Sequence, residues 1–202
     1  MPTLRPVTHM LRSVTPRPMT RALLTGITVV SAFGAGAVAD RAIVATPAWK
    51  HLGAGAWAAY SRRADLGNGL IVYPLYGVGL TALAIAAAVS HRSDRNAPRQ
   101  AGPPIYLAAG CALGVMATTL KAAPIMLSVP GLGDDHAALR EAFGQFTFWG
   151  VYLRGALGGL AFLSSLWAVA VYADLAGAAE KEDERGGEQG EADGVAEFPA
   201  VA

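Results

Sequence analysis

Five side chains that could bind an anion or move a proton lie within or at the edges of long apolar stretches of this 202-residue chain. They are Asp40, Arg41, Tyr73, Lys121 and Arg154. An ionisable group in a membrane-spanning stretch is costly unless it is paired or hydrated, and it therefore marks a candidate functional site. These residues are the first candidates for the chemistry of the protein.

The five residues are expected at one depth. In each of the four spans, the polar residue lies 17 or 18 residues from the end predicted to face the cytoplasm. This is roughly 26–27 Å at the rise of an α-helix. The intervals are Ala22 to Asp40, Ser90 back to Tyr73, Pro104 to Lys121 and Tyr172 back to Arg154. The spacing predicts a polar layer in the outer third of a bilayer.

Asp40 is the one acid in this predicted layer. Adjacent residues on a helix point in different directions, so Arg41 is not its natural partner. We expect Asp40 to face inward and to pair with Arg154 or Lys121, and Arg154 is favoured because its guanidinium can grip a carboxylate at two points. A cation left over could bind an anionic ligand or a lipid headgroup. The alternative is that Arg41 and Lys121 extend outward to the interface.

Long apolar helices must carry this layer. The chain is 53% hydrophobic and 15% charged, and its apolar residues form blocks at about 22–46, 70–90, 104–127 and 148–172. Each block reaches the ~20 residues that a helix needs to cross a bilayer. The prediction is an all-α fold: a four-helix transmembrane bundle over 22–172.

The distribution of Lys and Arg predicts the orientation. Nine lie on the side of the two termini and the second-to-third connection, and five lie on the opposite side. Positive loops stay inside, so we expect a multi-pass protein of the cell membrane with both termini in the cytoplasm. A cleaved signal peptide, with "AVA" at 37–39 as its cleavage site, is the alternative for the first block, but the apolar run continues past Arg41.

The regions outside the spans differ in character. Residues 1–21 predict a flexible basic cytoplasmic segment, and residues 173–202, acidic and Gly-rich, predict a disordered tail, with docking of a basic partner as the alternative. The two outer loops, 47–69 and 128–147, predict short helices lying in the membrane interface. In the first, Pro47 could open a helix that ends near Gly67–Gly69, and Trp49, Trp57 and Tyr60 share one face of it.

The second outer loop carries a helix start signal. Asp134 or Asp135 can cap a helix containing Ala138, Leu139, Ala142 and Phe143. Both outer loops are therefore expected to cover the mouth of the bundle, where apolar walls and a charged rim would enclose a pocket for a hydrophobic small molecule.

Few other patterns point to chemistry. The four histidines are far apart and "DDH" at 134–136 places neighbours that cannot easily converge on one ion, so no metal is predicted. No phosphate loop, dinucleotide fingerprint or nucleophile elbow occurs, and no cofactor is predicted. The net charge of +1 gives no sign of nucleic-acid binding. His51, near the predicted mouth, could act as a base; the alternative is an exposed interfacial histidine.

The order of these features resembles the small four-span membrane proteins grouped with anthrone oxygenases, a domain family of unknown function. The resemblance covers about residues 25–172. It rests on "ATPAW" after the first span, Tyr73-Pro74 at the second, "KAAPIM" in the third, and "DDHAALREAFGQFTFW" leading to Arg154 and a Gly-rich run. Trp149 fits the family's Trp before that Arg, whereas "APIML" lacks the Asn that the family often has after its third span.

The resemblance implies a fold and an activity. Some members oxidise anthrones to anthraquinones with molecular oxygen and without metal or flavin, because a phenolic substrate anion can itself reduce oxygen. Here it would make His51 or Asp40 the base and Arg154 or Lys121 the anion site, with Trp49, Trp57 and Trp149 stacking on the ring.

Three functions are therefore expected of the sequence. The first is a membrane protein, in contact with the lipid bilayer, that binds a hydrophobic or aromatic small molecule in an outward-facing pocket. The second is a cofactor-free oxygenase. The third is a structural or assembly protein whose charged layer fixes helix pairing. Four spans without an internal repeat argue against a transporter, and the sequence leaves the oligomeric state open.

Overall fold

The computed structural model describes residues 18–95 and 97–195 of this chain, with side chains at 176 and beyond 178 left out. No β-strand occurs in these ranges. The α-helices are α1 (Pro18–Asp40), α2 (Thr46–Leu52), α3 (Ala54–Arg63), α4 (Gly69–Ser93), α5 (Gly102–Ser128), α6 (His136–Phe146) and α7 (Arg154–Val195). Short 3₁₀ turns at Arg99–Ala101 and Val129–Leu132 flank α5.

Four continuous helical stretches are long and apolar enough to cross a membrane. They are Pro18–Leu52, Gly69–Ser93, Arg99–Leu132 and His136–Leu175. Each exceeds the ~20 residues needed for the hydrocarbon core. The predicted four-helix bundle is confirmed, and each of the four stretches contains one of the predicted spans.

The four long helices form a closed ring. Helix α1 packs against α4 and α7, and α5 packs against the same two neighbours. Small residues allow the close approaches: a Cβ added at Gly155 would meet Val38, and one at Gly114 would meet Leu157. Close backbone approach of this kind is the usual way that helices associate in membranes, where lipid and side chains are equally apolar.

One end of the bundle is covered by the short helices α2, α3 and α6, and we call it the cap end. Helix α6 packs on α3, and a hydrophobic cluster joins Trp57 of α3, Phe143 of α6 and Met126 of α5. Arg62 fixes α3 further by donating to the carbonyl oxygens of Val129 at 3.2 Å and Gly133 at 2.6 Å.

The short helices of the cap end agree only partly with prediction. The Asp135 carboxylate accepts hydrogen bonds from the amides of Ala137 at 2.9 Å and Ala138 at 3.1 Å, which confirms the predicted cap of α6. The single helix expected from Pro47 to about Gly67 is wrong. It breaks at Gly53, whose φ of 92° is open to glycine but strained for other residues.

Two π-helical segments lie at the cap end. Arg41–Ala45 joins α1 to α2, and Thr147–Leu153 joins α6 to α7; the two segments contact each other. The first ends two residues before Pro47, which has no N–H to continue the α-helical ladder. Such π segments inside α-helices are rare and are frequent at functional sites. Arg41 is the first residue of the first segment, and Arg154 directly follows the second.

The ends of the chain differ from prediction in detail. Helix α1 begins at Pro18, inside the segment 1–21 that was predicted to be flexible, and residues 1–17 lie outside the described residues. Helix α7 continues to Val195, into the tail 173–202 for which disorder is predicted. The run "AAEKEDER" in this part consists largely of strong helix formers. The last residues, 196–202, are again outside the described range.

Candidate functional site

The centre of the cap end is a buried ion pair. The Arg41 guanidinium forms a salt bridge with the Asp65 carboxylate, and the side chains are 13% and 1% exposed. The Tyr73 hydroxyl donates to the same Asp65 oxygen, Oδ1, at 3.0 Å. One carboxylate thus joins the end of α1, the α3–α4 connection and the first turns of α4.

Aromatic rings surround the cation of this pair. The Arg41 guanidinium carbon lies 5.7–5.9 Å from the ring centroids of Trp49, Tyr60, Tyr73 and Phe146. The negative face of an aromatic ring attracts a cation, and the attraction grows when water is removed. Arg41 is therefore held by one carboxylate and by rings from four different parts of the chain.

Tight turns place Asp65 in the bundle. After α3 ends, the Leu66 amide donates to the Ser61 carbonyl at 3.0 Å, and the Gly69 amide donates to the Ala64 carbonyl at 3.2 Å. Gly67 and Gly69 leave no room for a side chain in this turn, since a Cβ would meet the Arg63 carbonyl or the Tyr73 ring. The chain therefore folds back at once into α4 and turns Asp65 inward.

Arg154 lies beside this pair but has no counter-ion. It belongs to the partly buried residues, and its Nε is buried without a hydrogen-bond partner. In the described part of the chain Arg41–Asp65 is the one salt bridge. Two arginines and one aspartate leave the site with one excess positive charge.

Two cavities meet at Arg154. One, of about 90 Å³, lies between α4 and α5 and is lined by Arg41, Asp65, Tyr73 and Arg154 among apolar side chains. The other, of about 80 Å³, lies between α1 and α4; Arg41, Tyr73 and Arg154 line it as well, but Asp65 does not. Each has room for several water molecules. The three residues common to both walls are Arg41, Tyr73 and Arg154.

Several polar atoms in this half of the molecule lack a protein partner. They are buried oxygens of Thr46, Ser61, Asp65 (Oδ2) and Thr147, and nitrogens of Trp57 and Arg154. Most buried polar groups in proteins are paired, so unpaired ones call for an explanation. They lie on α2 and α3, on the α3–α4 connection, on the π segment Thr147–Leu153 and on Arg154, which directly follows that segment.

The predicted pairing of Asp40 with Arg154 or Lys121 is wrong. Asp40 is exposed, and the carboxylate at the site is that of Asp65, which pairs with Arg41. The residue that turns inward is Arg41, because the π segment begins there and because the aromatic rings and Asp65 receive its side chain. Lys121 is exposed and lines neither cavity, as the alternative of outward extension predicted.

Of the remaining predicted site residues, Tyr73 and Arg154 line both cavities. The other aromatic residues and His51 lie elsewhere in the cap end. Trp57 is fully buried between Phe143 and Phe146, at ring distances of 5.4 and 5.7 Å.

Trp49 packs on Tyr60 with ring centroids 5.2 Å apart, and Trp149 contacts Phe148. His51 is exposed, with Nδ1 2.9 Å from the Pro47 carbonyl. Trp49, Trp149 and His51 line neither of the cavities beside Arg154.

Two residues of the site escaped the sequence argument. Asp65 and Phe146 lie outside the predicted spans, so they were not considered for the polar layer. A signal for Asp65 existed, since it is the one acidic residue of the connection 47–69, which also carries Lys50, Arg62 and Arg63. Phe146 has no such signal, because its contact with Arg41 depends on how α6 lies on the bundle.

The chain was compared with protein-family models, curated proteins and solved structures, and no match was found. The resemblance to the anthrone oxygenase-like family therefore stays a prediction from its motifs.

Proposed function

We propose that this chain is a membrane protein that binds a hydrophobic small molecule carrying one negative charge, with the charge beside Arg154. The observation that carries the proposal is the Arg154 guanidinium, which lines two apolar cavities and has no counter-ion among the described residues. An unpaired cation in an apolar wall is costly, and a bound anion removes that cost.

The charge balance favours one anionic group. Arg41 is already neutralised by Asp65, so the excess is a single positive charge. The π segments and the unpaired buried polar atoms around the same point support a ligand site, since both features concentrate where function requires them.

Orientation is part of the proposal. Because Lys and Arg are more numerous on the side of the two termini, we place the protein in the cell membrane with both termini in the cytoplasm and the cap end outside. A reporter fused to the C-terminus that is active only in the cytoplasm would test this placement. If the C-terminal fusion is active only with a reporter that requires export, the orientation is the opposite one.

Binding is tested by thermal unfolding of the detergent-purified full chain. The probes are 2-naphthoate and dodecanoate, with 2-naphthol and dodecanol as uncharged counterparts. An anion at about 100 times its Kd should stabilise the protein by about 2.7 kcal/mol. Arg154→Gln should abolish this stabilisation, and the control Lys121→Gln, which removes an exposed cation, should keep it. Equal stabilisation of the wild type and Arg154→Gln would contradict the proposal.

A structural role is the second candidate, and the Arg41–Asp65 pair favours it, since this pair ties the α3–α4 connection to α1. In that case Arg154→Gln would lower the folded yield, and no anion would shift the unfolding temperature. The oxygenase activity implied by the resemblance gains no support from the two suggested bases, because His51 and Asp40 are both exposed.

A further inference from the structure

The two cavities beside Arg154 differ in their electrostatics. Asp65 lines the cavity between α4 and α5 but not the cavity between α1 and α4. The second cavity has both arginines and Tyr76 in its wall. A carboxylate repels an anion at short range in a medium of low dielectric constant. An anionic group is therefore more stable in the cavity between α1 and α4, and we call this the α1–α4 cavity.

The α1–α4 cavity opens on the side of the bundle. Phe33 and Ala37 of α1 and Val72 of α4 line it and are also exposed, Phe33 by 73%. The side of a transmembrane bundle is in contact with lipid chains rather than with water. A ligand can thus reach this cavity from within the bilayer.

The depth of the cavity suits the head of an amphiphile. Tyr73 and Tyr76 follow the start of α4 at Gly69 by four and seven residues, or roughly 6 and 10 Å along the helix axis. The apolar face of an interfacial amphipathic helix lies about 5–10 Å into the boundary between headgroups and acyl chains, which is the depth of these tyrosines if the boundary lies at the start of the candidate span Gly69–Ser93. Deeper along α1, Val29 lies one turn from Phe33 and is also exposed, so an apolar path continues toward the bilayer centre.

The volume argues for a chain and against fused rings. The volume of this cavity is about 80 Å³, whereas sites for drug-sized molecules are about 300–1,000 Å³. Tyr76 limits it further, since it packs so closely on Gly34 that a Cβ there would overlap the ring. A rigid ring system does not fit this space, but a flexible chain can leave it through the opening.

We propose that the α1–α4 cavity is a lateral site for an amphiphile with one alkyl chain and one anionic head, of the fatty-acid type. The head lies between Arg41, Arg154 and Tyr76, and the chain passes Phe33 into the bilayer. This proposal rests on the proposed function, because Arg154 provides the positive charge in both.

The test uses the full chain in nanodiscs of uncharged phosphatidylcholine. The probe is palmitate with a diazirine in the middle of its chain, and the labelled residues are mapped by mass spectrometry. Labelling is expected on residues 29–37 and 72–76, with competition by dodecanoate and not by dodecanol. Ala37→Trp, which fills the opening, should lower labelling about tenfold or more. Ala39→Trp is the matched control, since Ala39 is an exposed alanine of α1 that does not line the cavity.

Equal labelling of the two tryptophan variants, or equal competition by dodecanol, would mean that the probe meets only the outer lipid surface, and the lateral site would be rejected. If 2-naphthoate still stabilises the wild type but not Arg154→Gln, the proposed function stands and only the alkyl-chain assignment fails. If no anion stabilises the protein, both fail.

Discussion

The two ends of this bundle contain polar side chains but use them in different ways. At the end away from the cap, Thr20 of α1 and Ser90 of α4 share a hydrogen bond of 2.7 Å. Close by, His91 Nδ1 of α4 lies 2.9 Å from the hydroxyl of Tyr172 on α7. These bonds pair uncharged hydroxyls, and an imidazole with a phenol, on different long helices. Polar bonds of this kind hold membrane helices together.

At the cap end, by contrast, the walls of the two cavities contain two cations and one carboxylate, and several buried polar atoms lack partners. Arg154 has no partner within the described ranges, and Asp65 uses only one of its oxygens. Since folding alone would favour satisfied groups or apolar ones, the difference agrees with the proposal that the cap end binds a ligand while the far end stabilises the bundle. Four substitutions test this contrast.

The largest loss of stability is expected from Asp65→Asn. The substitution leaves Arg41 buried without a counter-ion, and breaking a buried pair in this way costs about 3–5 kcal/mol. Chemical denaturation of the purified protein measures the loss. Asp40→Asn is the matched control, because Asp40 is exposed, and its stability should equal that of the wild type. Equal losses in the two variants would mean that Asp40 has a buried role.

A steric test comes next. Gly34→Ala places a Cβ inside the Tyr76 ring, and overpacking of this kind costs about 1–3 kcal/mol. Gly36→Ala on the same helix meets no neighbour and should be neutral or slightly stabilising, since alanine is the better helix former. The unfolding temperatures of both variants decide this. If Gly34→Ala is as stable as Gly36→Ala, the close packing of α1 on α4 is not required.

A substitution at the far end should lower the free energy of unfolding by a smaller amount. Tyr172→Phe removes the hydroxyl that bonds His91, and one neutral hydrogen bond contributes about 0.5–1.5 kcal/mol. The control is Tyr106→Phe, whose ring is half exposed. Ligand stabilisation of Tyr172→Phe should remain as in the wild type. A loss of ligand binding in this variant would break the contrast between the two ends.

The smallest effect on stability, and the opposite sign, is expected for Arg154→Gln without ligand. Removing a partly buried, unpaired charge should leave the free energy of unfolding unchanged or raise it by up to about 1 kcal/mol. Denaturation without ligand measures this. A loss as large as that of Asp65→Asn would show that Arg154 supports the fold rather than a ligand.

Much of the architecture could be predicted because it depends on local composition. The apolar blocks determine where the helices cross, and Asp135 determines where α6 begins, since both follow from residues close in sequence. The break at Gly53 was missed because the helical face shared by Trp49 and Trp57 is a pattern that a single glycine can interrupt.

The site was predicted in part. Arg154 and Tyr73 were identified because a charge or a phenol in an apolar span stands out without knowledge of its neighbours. Asp65 was missed, and Asp40 was chosen instead, because the choice between them depends on which way a helix faces and where a connection folds back. Neither property can be predicted from the spacing of charges along one helix.

The sequence by itself determined that the chain forms four apolar helices with ionisable groups near one end, because burial in a bilayer acts on each segment separately. Only the tertiary structure decided that Arg41 pairs with Asp65 and that Arg154 is left without a partner between two cavities. Those facts depend on the packing of α3, α6 and the π segments against the bundle, and packing is a property of segments far apart in the chain.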